Sequence, residues 1–163
     1  MSDAAENETP QDAPYETLGE IGLNNFAPYL MNRIMGRYNA DMQGALKDMN
    51  LSTVKMRTLS ILAVVPGLTI NELAVYAVTE QSTMSRTLEA LESAGFVRRT
   101  ERASDGRVRE IYLTDEGRVE IDRVWPVMWN GYQSMREGID PAEWQQFVSI
   151  LQRVLRNVRQ NEF

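Results

Sequence analysis

The feature that most constrains the fold is a run of three short helical patterns, followed at once by a strand-turn-strand pattern, within residues 52–113. Ser52 precedes an apolar series and is predicted to cap the first of these helices. Thr69 and Glu72 form a Thr-x-x-Glu capping box that should open the second. Three short helices are therefore predicted to fill residues 52–95.

The third helix and the hairpin complete this pattern. The helix is predicted to begin at Thr79 or Glu80. Two β-rich runs, 97–102 and 108–113, then flank Ala103-Ser104-Asp105-Gly106, and the Asp-Gly pair predicts a hairpin turn there. Three short helices and a hairpin in this order predict a winged helix-turn-helix, whose third helix lies in the major groove of DNA.

Longer helical patterns flank this unit on both sides. One runs from about residue 25 to 48, and Thr114 should cap another, which Pro126 kinks without necessarily ending it. Asp140 is predicted to cap a last helix with one fully apolar face. The residues of that face are Phe147, Ile150, Leu151, Val154, Leu155 and Val158. This face must be buried on the chain's own core or against a second subunit, and the equally apolar first helix favours the second subunit.

We therefore expect a mainly α-helical fold with a small β-hairpin wing. Its predicted parts are an acidic disordered tail at 1–23, an N-terminal dimerisation helix at 24–50, a winged helix-turn-helix at 51–114 and C-terminal dimerisation helices at 115–163. The tail is expected to be disordered because its acidic and proline-containing sequence has almost nothing to bury.

The distribution of charge is compatible with a nucleic-acid partner. The net charge of −6 at first argues against one, because phosphates bind lysine and arginine. Residues 1–20, however, hold six acids and no base, so the rest of the chain carries 17 bases and 17 acids. No run approaches the ~20 apolar residues needed to cross a bilayer, and we expect a cytoplasmic protein without membrane association.

The residue types available restrict enzymatic chemistry. The sequence has no cysteine and no histidine, which excludes disulfides, thiol nucleophiles, the usual zinc ligand sets and histidine-based triads. Asp115-Glu116 and Glu120-Asp122 could serve a carboxylate-based enzyme, but acids near a helix start are favoured for capping alone. We predict no catalytic residue, metal or cofactor. A winged helix that binds proteins instead of DNA stays open as an alternative.

Candidate DNA contacts lie at the start of the third helix and in the hairpin. Small hydroxyl and amide side chains allow close approach, and arginine suits both guanine and a narrow minor groove. Asp105 is expected to hold Arg107 extended by accepting hydrogen bonds. The candidates are Gln81, Ser82, Thr83, Ser85, Arg86, Thr87, Arg102, Ser104, Asp105, Arg107 and Arg109. The alternative is an ordinary solvated helix start beside a solvated strand pair.

Three separated signatures together resemble the multiple antibiotic resistance regulator (MarR) family. They are Ser82-Thr83-Met84-Ser85-Arg86 leading to Gly95-Phe96-Val97-Arg98-Arg99, then Asp105-Gly106-Arg107, then Leu113-Thr114-Asp115-Glu116-Gly117. The resemblance covers roughly residues 25–160. It implies an obligate homodimer that binds a pseudo-palindromic double-stranded DNA operator and usually represses nearby genes until a small molecule releases it.

The resemblance also implies a ligand site where the first, second and kinked helices meet. Family ligands are typically aromatic carboxylates, phenols or aromatic acyl-coenzyme A thioesters. The candidates here are Tyr29, Arg33, Arg37, Tyr38, Met56, Trp125 and Trp129. An arginine among aromatic and thioether side chains suits an aromatic carboxylate, although such a stripe is more often ordinary core.

Overall fold

A computed structural model describes residues 16–159 of the chain and confirms the mainly α-helical fold with a β-hairpin wing. The elements in order are α1 (Leu18–Ile21), a 3-10 turn (Leu23–Asn25), α2 (Ala27–Lys47), α3 (Thr53–Val64), α4 (Ile70–Tyr76), α5 (Gln81–Ser93), β1 (Val97–Arg102), β2 (Asp105–Leu113), α6 (Asp115–Met135) and α7 (Pro141–Val158). Contacts divide the chain into two units, 1–37 and 38–163. None of the helices within residues 16–159 is both long and apolar enough to cross a membrane.

The first unit contains a helical turn in a segment that was predicted to be disordered. The Glu20 carboxylate accepts the Thr17 N–H at 2.7 Å, and the Thr17 hydroxyl accepts the Glu20 N–H in return. This capping box satisfies the free donors of the turn, so Leu18–Ile21 is helical. The prediction of a disordered tail is therefore wrong for these residues. Residues 1–15 lie outside the part of the chain that the structure describes.

The second unit holds two apolar clusters. The larger joins α3, α4, α5 and the hairpin, and its fully buried side chains include Leu59, Leu62, Leu73, Met84, Leu88, Leu91 and Ile111. The smaller joins the end of α2 to α3 and α6 through Met42, Leu46, Met56 and Val124. The first cluster fixes the helix-turn-helix and its wing as one body, and the second attaches the longer helices to it.

The predicted helix caps are confirmed at four helices. The side chains of Ser52, Thr69, Thr114 and Asp140 each accept a backbone N–H in the first turn of α3, α4, α6 and α7. Thr69 and Asp140 belong to complete capping boxes. Helix α6 also continues through Pro126, as predicted.

The hairpin forms as predicted, but its turn lies two residues earlier than the Asp-Gly pair. Arg102 pairs with Asp105, so Ala103-Ser104 is the turn and Asp105-Gly106 begins β2. The register then shifts between Glu101, which pairs with Arg109, and Arg102, so residues 106–108 of β2 have no partner on β1. Asp105 Oδ1 accepts the Arg107 N–H at 3.0 Å. The Asp-Gly pair therefore forms a local bend at the start of β2, after the Ala103-Ser104 turn.

The base of the wing is attached to the α3–α4 connection. The Ile111 N–H donates to the Leu68 carbonyl at 2.9 Å, and the Gly67 N–H donates to the Ile111 carbonyl at 3.0 Å. Gly67 has φ +81°, and a Cβ there would lie 2.8 Å from the Tyr112 hydroxyl oxygen. The left-handed backbone favours glycine, and any other residue would also have to displace the end of the Tyr112 side chain.

Candidate nucleic-acid interface

The start of α5 exposes a polar face. Met84 and Leu88 are buried in the larger cluster, whereas Gln81, Ser82 and Arg86 are exposed. Thr83 and Ser85 are half-buried, with the Ser85 hydroxyl 3.5 Å from the Glu89 carboxylate. Helical periodicity produces this division, since apolar positions spaced by four lie on one face. The Arg86 side chain has no polar partner among the residues described.

Thr87 is a correction to the predicted set. Its side chain is buried, and its hydroxyl donates to the Thr83 carbonyl at 2.8 Å. The residue lies on the same side of α5 as the apolar positions, so its hydroxyl is satisfied inside the helix and is not available to DNA.

The N-terminus of α5 lacks the side-chain cap that α3, α4, α6 and α7 have. Its N-cap residue, Glu80, makes no side-chain hydrogen bond to the first turn. The first N–H groups of a helix have no partner inside it, and the helix dipole makes this end partially positive. At α5 these donors therefore remain available to an external acceptor such as a phosphate.

The hairpin arginines divide into paired and unpaired side chains. The ion pairs are Arg99 with Glu92 at 3.2 Å, Arg102 with Glu110 at 2.6 Å and Arg109 with Glu101 at 3.2 Å. Arg107 is exposed, and its side chain makes no hydrogen bond or ion pair within residues 16–159. Ser104 lies exposed in the turn itself. The free positive charge at the end of the wing is therefore that of Arg107.

Arg102 belongs to a polar network at the base of the wing that sequence reasoning missed. Glu110 accepts a hydrogen bond from Arg102 Nε at 2.6 Å and another from the Tyr112 hydroxyl at 2.9 Å. The Arg102 hydrogen bond, followed by that of Tyr112, lowers the pKa of Glu110. The Arg98 guanidinium lies 4.8 Å from the centroid of the Tyr112 ring. The network holds Arg102 in place before any contact with DNA.

The candidate ligand residues of the second unit do not form one cluster. Tyr38 and Met56 pack in the smaller apolar cluster, where Met56 is fully buried, as the core alternative expected. Trp125 and Trp129 are roughly half exposed, with their ring centroids 5.9 Å apart. They lie on a different face of α6 from Val124, since one residue turns the helix by about 100°.

The candidates of the first unit lie on the N-terminal half of α2. Arg33 Nη1 donates to the Tyr29 hydroxyl at 2.9 Å, and its guanidinium lies 5.8 Å from the centroid of that ring. Arg37 follows one helical turn later and is exposed. Arg33 and Tyr29 thus form a local cation and aromatic pair.

An aromatic row connects α6 to α7. The sequence predicted Trp125 and Trp129 as ligand residues and Phe147 as a dimer contact, but not the row that joins them. The row is Trp125, Trp129, Tyr132, Trp144 and Phe147, with successive centroids 5.3 to 5.9 Å apart. The Trp144 indole N–H donates to the Tyr132 hydroxyl at 2.9 Å. The spacing of positions 125, 129 and 132 along one helical face is the signal that could have predicted it.

The apolar face of α7 is uncovered in the single chain. No residue of the helix is buried, and Leu155 and Val158 are 61% and 68% exposed. Phe147, Ile150 and Val154 are also exposed, and Leu151 is half-buried. The alternative in which this face packs on the chain's own core is therefore not what the structure shows.

Three packed helices followed by a two-stranded wing define this protein as a winged helix-turn-helix protein. The profile of the MarR family matches residues 48–108. The chain is 47% identical in sequence to a MarR-family transcriptional regulator from Silicibacter pomeroyi whose crystal structure is known. The two structures superimpose with a TM-score of 0.86, over 91% of this chain and 100% of that one. The chain belongs to the MarR family of transcriptional regulators.

Two further relatives bear on its function. The HTH-type transcriptional repressor IacR of Pseudomonas putida is 27% identical over 85% of this chain and 83% of IacR. A MarR-family protein of Mycobacterium tuberculosis, solved in complex with salicylic acid, is also 27% identical. Its TM-score is 0.64, over 78% of this chain and 94% of that one.

Proposed function

We propose that this regulator is a repressor that binds a pseudo-palindromic DNA operator as a homodimer. The observation that carries the proposal is the exposed, uncapped start of α5 in the same compact unit as the unpaired Arg107 of the wing. The α5 side chains and N–H groups suit the major groove and its phosphates, and Arg107 suits the minor groove beside it. The name of IacR as a repressor supports the repressing role.

The proposed contacts divide by role. Direct contacts come from Gln81, Ser82, Thr83, Ser85, Arg86, Ser104, Arg107 and Arg109. Asp105 and Arg102 act as positioning residues, through the Arg107 N–H and the Glu110 network respectively. The cross-strand pair of Arg109 with Glu101 is solvent-exposed, so it can open at little cost when a phosphate replaces the carboxylate.

We propose that residues 51–114 bind DNA and that the helices at 24–50 and 115–163 form the dimer. The uncovered face of α7 supports this division, because large apolar faces are rarely left in water. In the first unit, Leu30, Ile34 and Met35 of α2 are exposed as well. A dimer would present two α5 helices about one DNA turn apart, ~34 Å, to successive major grooves.

DNA binding is tested with the full chain and a duplex from the promoter region of its own gene. Fluorescence anisotropy should show tighter binding to this duplex than to a shuffled duplex of equal length, and both affinities should fall as salt rises. A protein-binding winged helix would bind neither duplex. Equal affinity for the two duplexes at every salt concentration would contradict operator recognition.

We further propose that a small aromatic acid, a phenol or an aromatic acyl-coenzyme A thioester releases the repressor. The relative solved with salicylic acid supports an aromatic carboxylate. Arg33 with Tyr29 offers such a ligand a charge-assisted hydrogen bond and an aromatic contact. A ligand that prefers the non-binding state ~100-fold would shift the equilibrium by ~2.7 kcal/mol.

The effector proposal is tested by titrating salicylate, hydroxycinnamates and their coenzyme A esters against the preformed DNA complex. Arg33→Ala and Arg37→Ala should keep operator affinity and lose the response, because the ligand carboxylate loses its partner while the proposed DNA-contacting surface is unchanged. Arg153→Ala on α7 is the matched control and should respond like the wild type. If the ligands still release both α2 variants fully from DNA, the proposed ligand site is wrong.

A further inference from the structure

Val78, in the turn between α4 and α5, has an unusual backbone conformation. Its φ is +52°, in the left-handed region that L-residues avoid. Within residues 16–159 the other positive φ values belong to Asn50 and to four glycines. A β-branched side chain is the least suited to this region, because its two Cβ substituents crowd the backbone.

The turn itself is an ordinary helix C-terminal motif that elsewhere in the chain contains glycine. The Val78 N–H donates to the Val75 carbonyl at 3.1 Å, and the Thr79 N–H donates to the Ala74 carbonyl at 3.0 Å. Helix α5 ends with the same two hydrogen bonds, and Gly95 occupies the left-handed position there. Glycine at 78 would therefore form the same turn without strain.

Burial does not compensate for the strain at Val78. The residue is 84% exposed, so its methyl groups gain almost nothing from the core of the chain. Strained backbone conformations persist where the surrounding turn fixes them, and they cluster at sites that contact a ligand or partner. The position of Val78 indicates which partner. Gln81, the first residue of α5, follows three residues later, so the two Cα atoms lie within about 11 Å.

The apolar group that DNA presents in the major groove is the C5-methyl of thymine. We propose that the Val78 side chain contacts a thymine methyl group at the edge of each half-site, which makes Val78 a specificity-determining residue. The proposal rests on the proposed binding of DNA by α5. It explains why an exposed valine occupies a position suited to glycine.

The first test compares Val78→Gly and Val78→Asn with the wild type. Both replacements tolerate left-handed backbone, so neither should unfold the protein, and Val78→Gly should raise Tm by about 2 °C. Each should weaken binding to the operator about fourfold per half-site, or about fifteenfold for two half-sites. Val119→Ala removes another exposed valine, on α6, and should leave operator affinity unchanged.

The second test replaces every thymine of the operator with deoxyuridine, which lacks the methyl group. The wild type should lose affinity, and the Val78 variants should lose less on this replacement because their contact is already absent. The proposal would be overturned if both variants bound the operator as tightly as the wild type. It would also be overturned if the deoxyuridine duplex reduced the affinity of the variants and of the wild type by the same factor. These outcomes leave the proposed function intact as long as the wild type still prefers its operator to the shuffled duplex.

Discussion

At the scale of single residues, similar side chains in the wing have different surroundings. Arg107 projects from the start of β2 without a polar partner, whereas Arg102 is hydrogen-bonded to Glu110. A free guanidinium gains a full set of hydrogen bonds when it meets DNA, but a paired one must first give up a carboxylate. The two arginines should therefore respond differently to substitution.

Arg107→Ala should weaken operator binding on the order of tenfold per half-site and leave the dimer intact, because the side chain contacts nothing in the core. Fluorescence anisotropy measures the loss, and sedimentation velocity checks the dimer. Arg118→Ala on α6, which also removes an exposed arginine, should cost less. If the two variants bind alike, the wing does not contact DNA as proposed.

The Glu110 network should make the wing sensitive to acid. Since its hydrogen bonds lower the pKa of Glu110 in the folded state, its contribution to stability is fully present above the unfolded-state pKa of about 4.3. That contribution is lost as pH falls through the lower folded-state value. The Tm of Glu110→Gln should therefore lie below that of the wild type at pH 7, and the gap should narrow below about pH 4.

Thermal melts of both proteins between pH 7 and pH 3 measure this gap. Glu137→Gln replaces an exposed glutamate without an ion pair and should leave Tm almost unchanged at pH 7. A gap that stays constant down to pH 3 would show that Glu110 does not stabilise the wing through its charge.

At the scale of elements, the approach of α6 to the hairpin depends on one glycine. A Cβ on Gly117 would lie 2.0 Å from the carbonyl oxygen of Phe96, which is backbone and cannot rotate away. The Thr114 N–H donates to that same carbonyl at 3.1 Å. The Leu-Thr-x-x-Gly signature therefore has a steric reason, because the first turn of α6 lies directly against the chain entering β1.

Gly117→Ala should destabilise the fold by about 2–3 kcal/mol and lower Tm by about 5–10 °C, because α6 must move away from Phe96. Gly44→Ala in α2 is the matched control. No atom outside its own helix lies within 4 Å of a Cβ there, so alanine should stabilise the helix by about 0.5–1 kcal/mol. Similar melting temperatures for the two variants would contradict this account.

Helix starts were predictable from sequence because their signals are local. Ser52 and Asp140 cap helices within three residues of themselves. The same Thr-x-x-Glu pattern occurs at Thr17, but the acidic composition around it favours disorder, and the two local signals conflict there. The position of the hairpin turn was missed for a different reason. An Asp-Gly pair predicts a bend, and the register shift beside Arg102 decides where in the hairpin that bend lies.

Much of the candidate site depends on contacts between elements, which composition and periodicity do not specify. The pairing of Arg102 with Glu110 follows from strand register, and the burial of Thr87 follows from the rotation of α5 on its core. The strain at Val78 was also out of reach, since only its backbone angle shows it. The sequence predicts candidate DNA contacts, and the structure shows which of these side chains are exposed and which are buried or already paired within the chain.

At the scale of the whole molecule, the apolar face of α7 should decide the oligomeric state. Leu151→Asp or Leu155→Asp should convert the dimer to monomer, because a buried unpaired charge is costly in an apolar interface. Sedimentation velocity measures the change, and operator affinity should fall with it. Gln152→Asp places the same charge on a neighbouring polar position and should remain dimeric. A dimer that survives both leucine substitutions would place the interface elsewhere.

The uncovered face of α7 also links the stability of each subunit to how many copies are present. If only the folded chain dimerises, a higher protein concentration favours the folded state by mass action, and Tm should rise with concentration. The amount of competent DNA-binding species should then vary with the square of the subunit concentration when most chains are monomeric. A modest change in expression would thereby produce a larger change in promoter occupancy, before any effector is present.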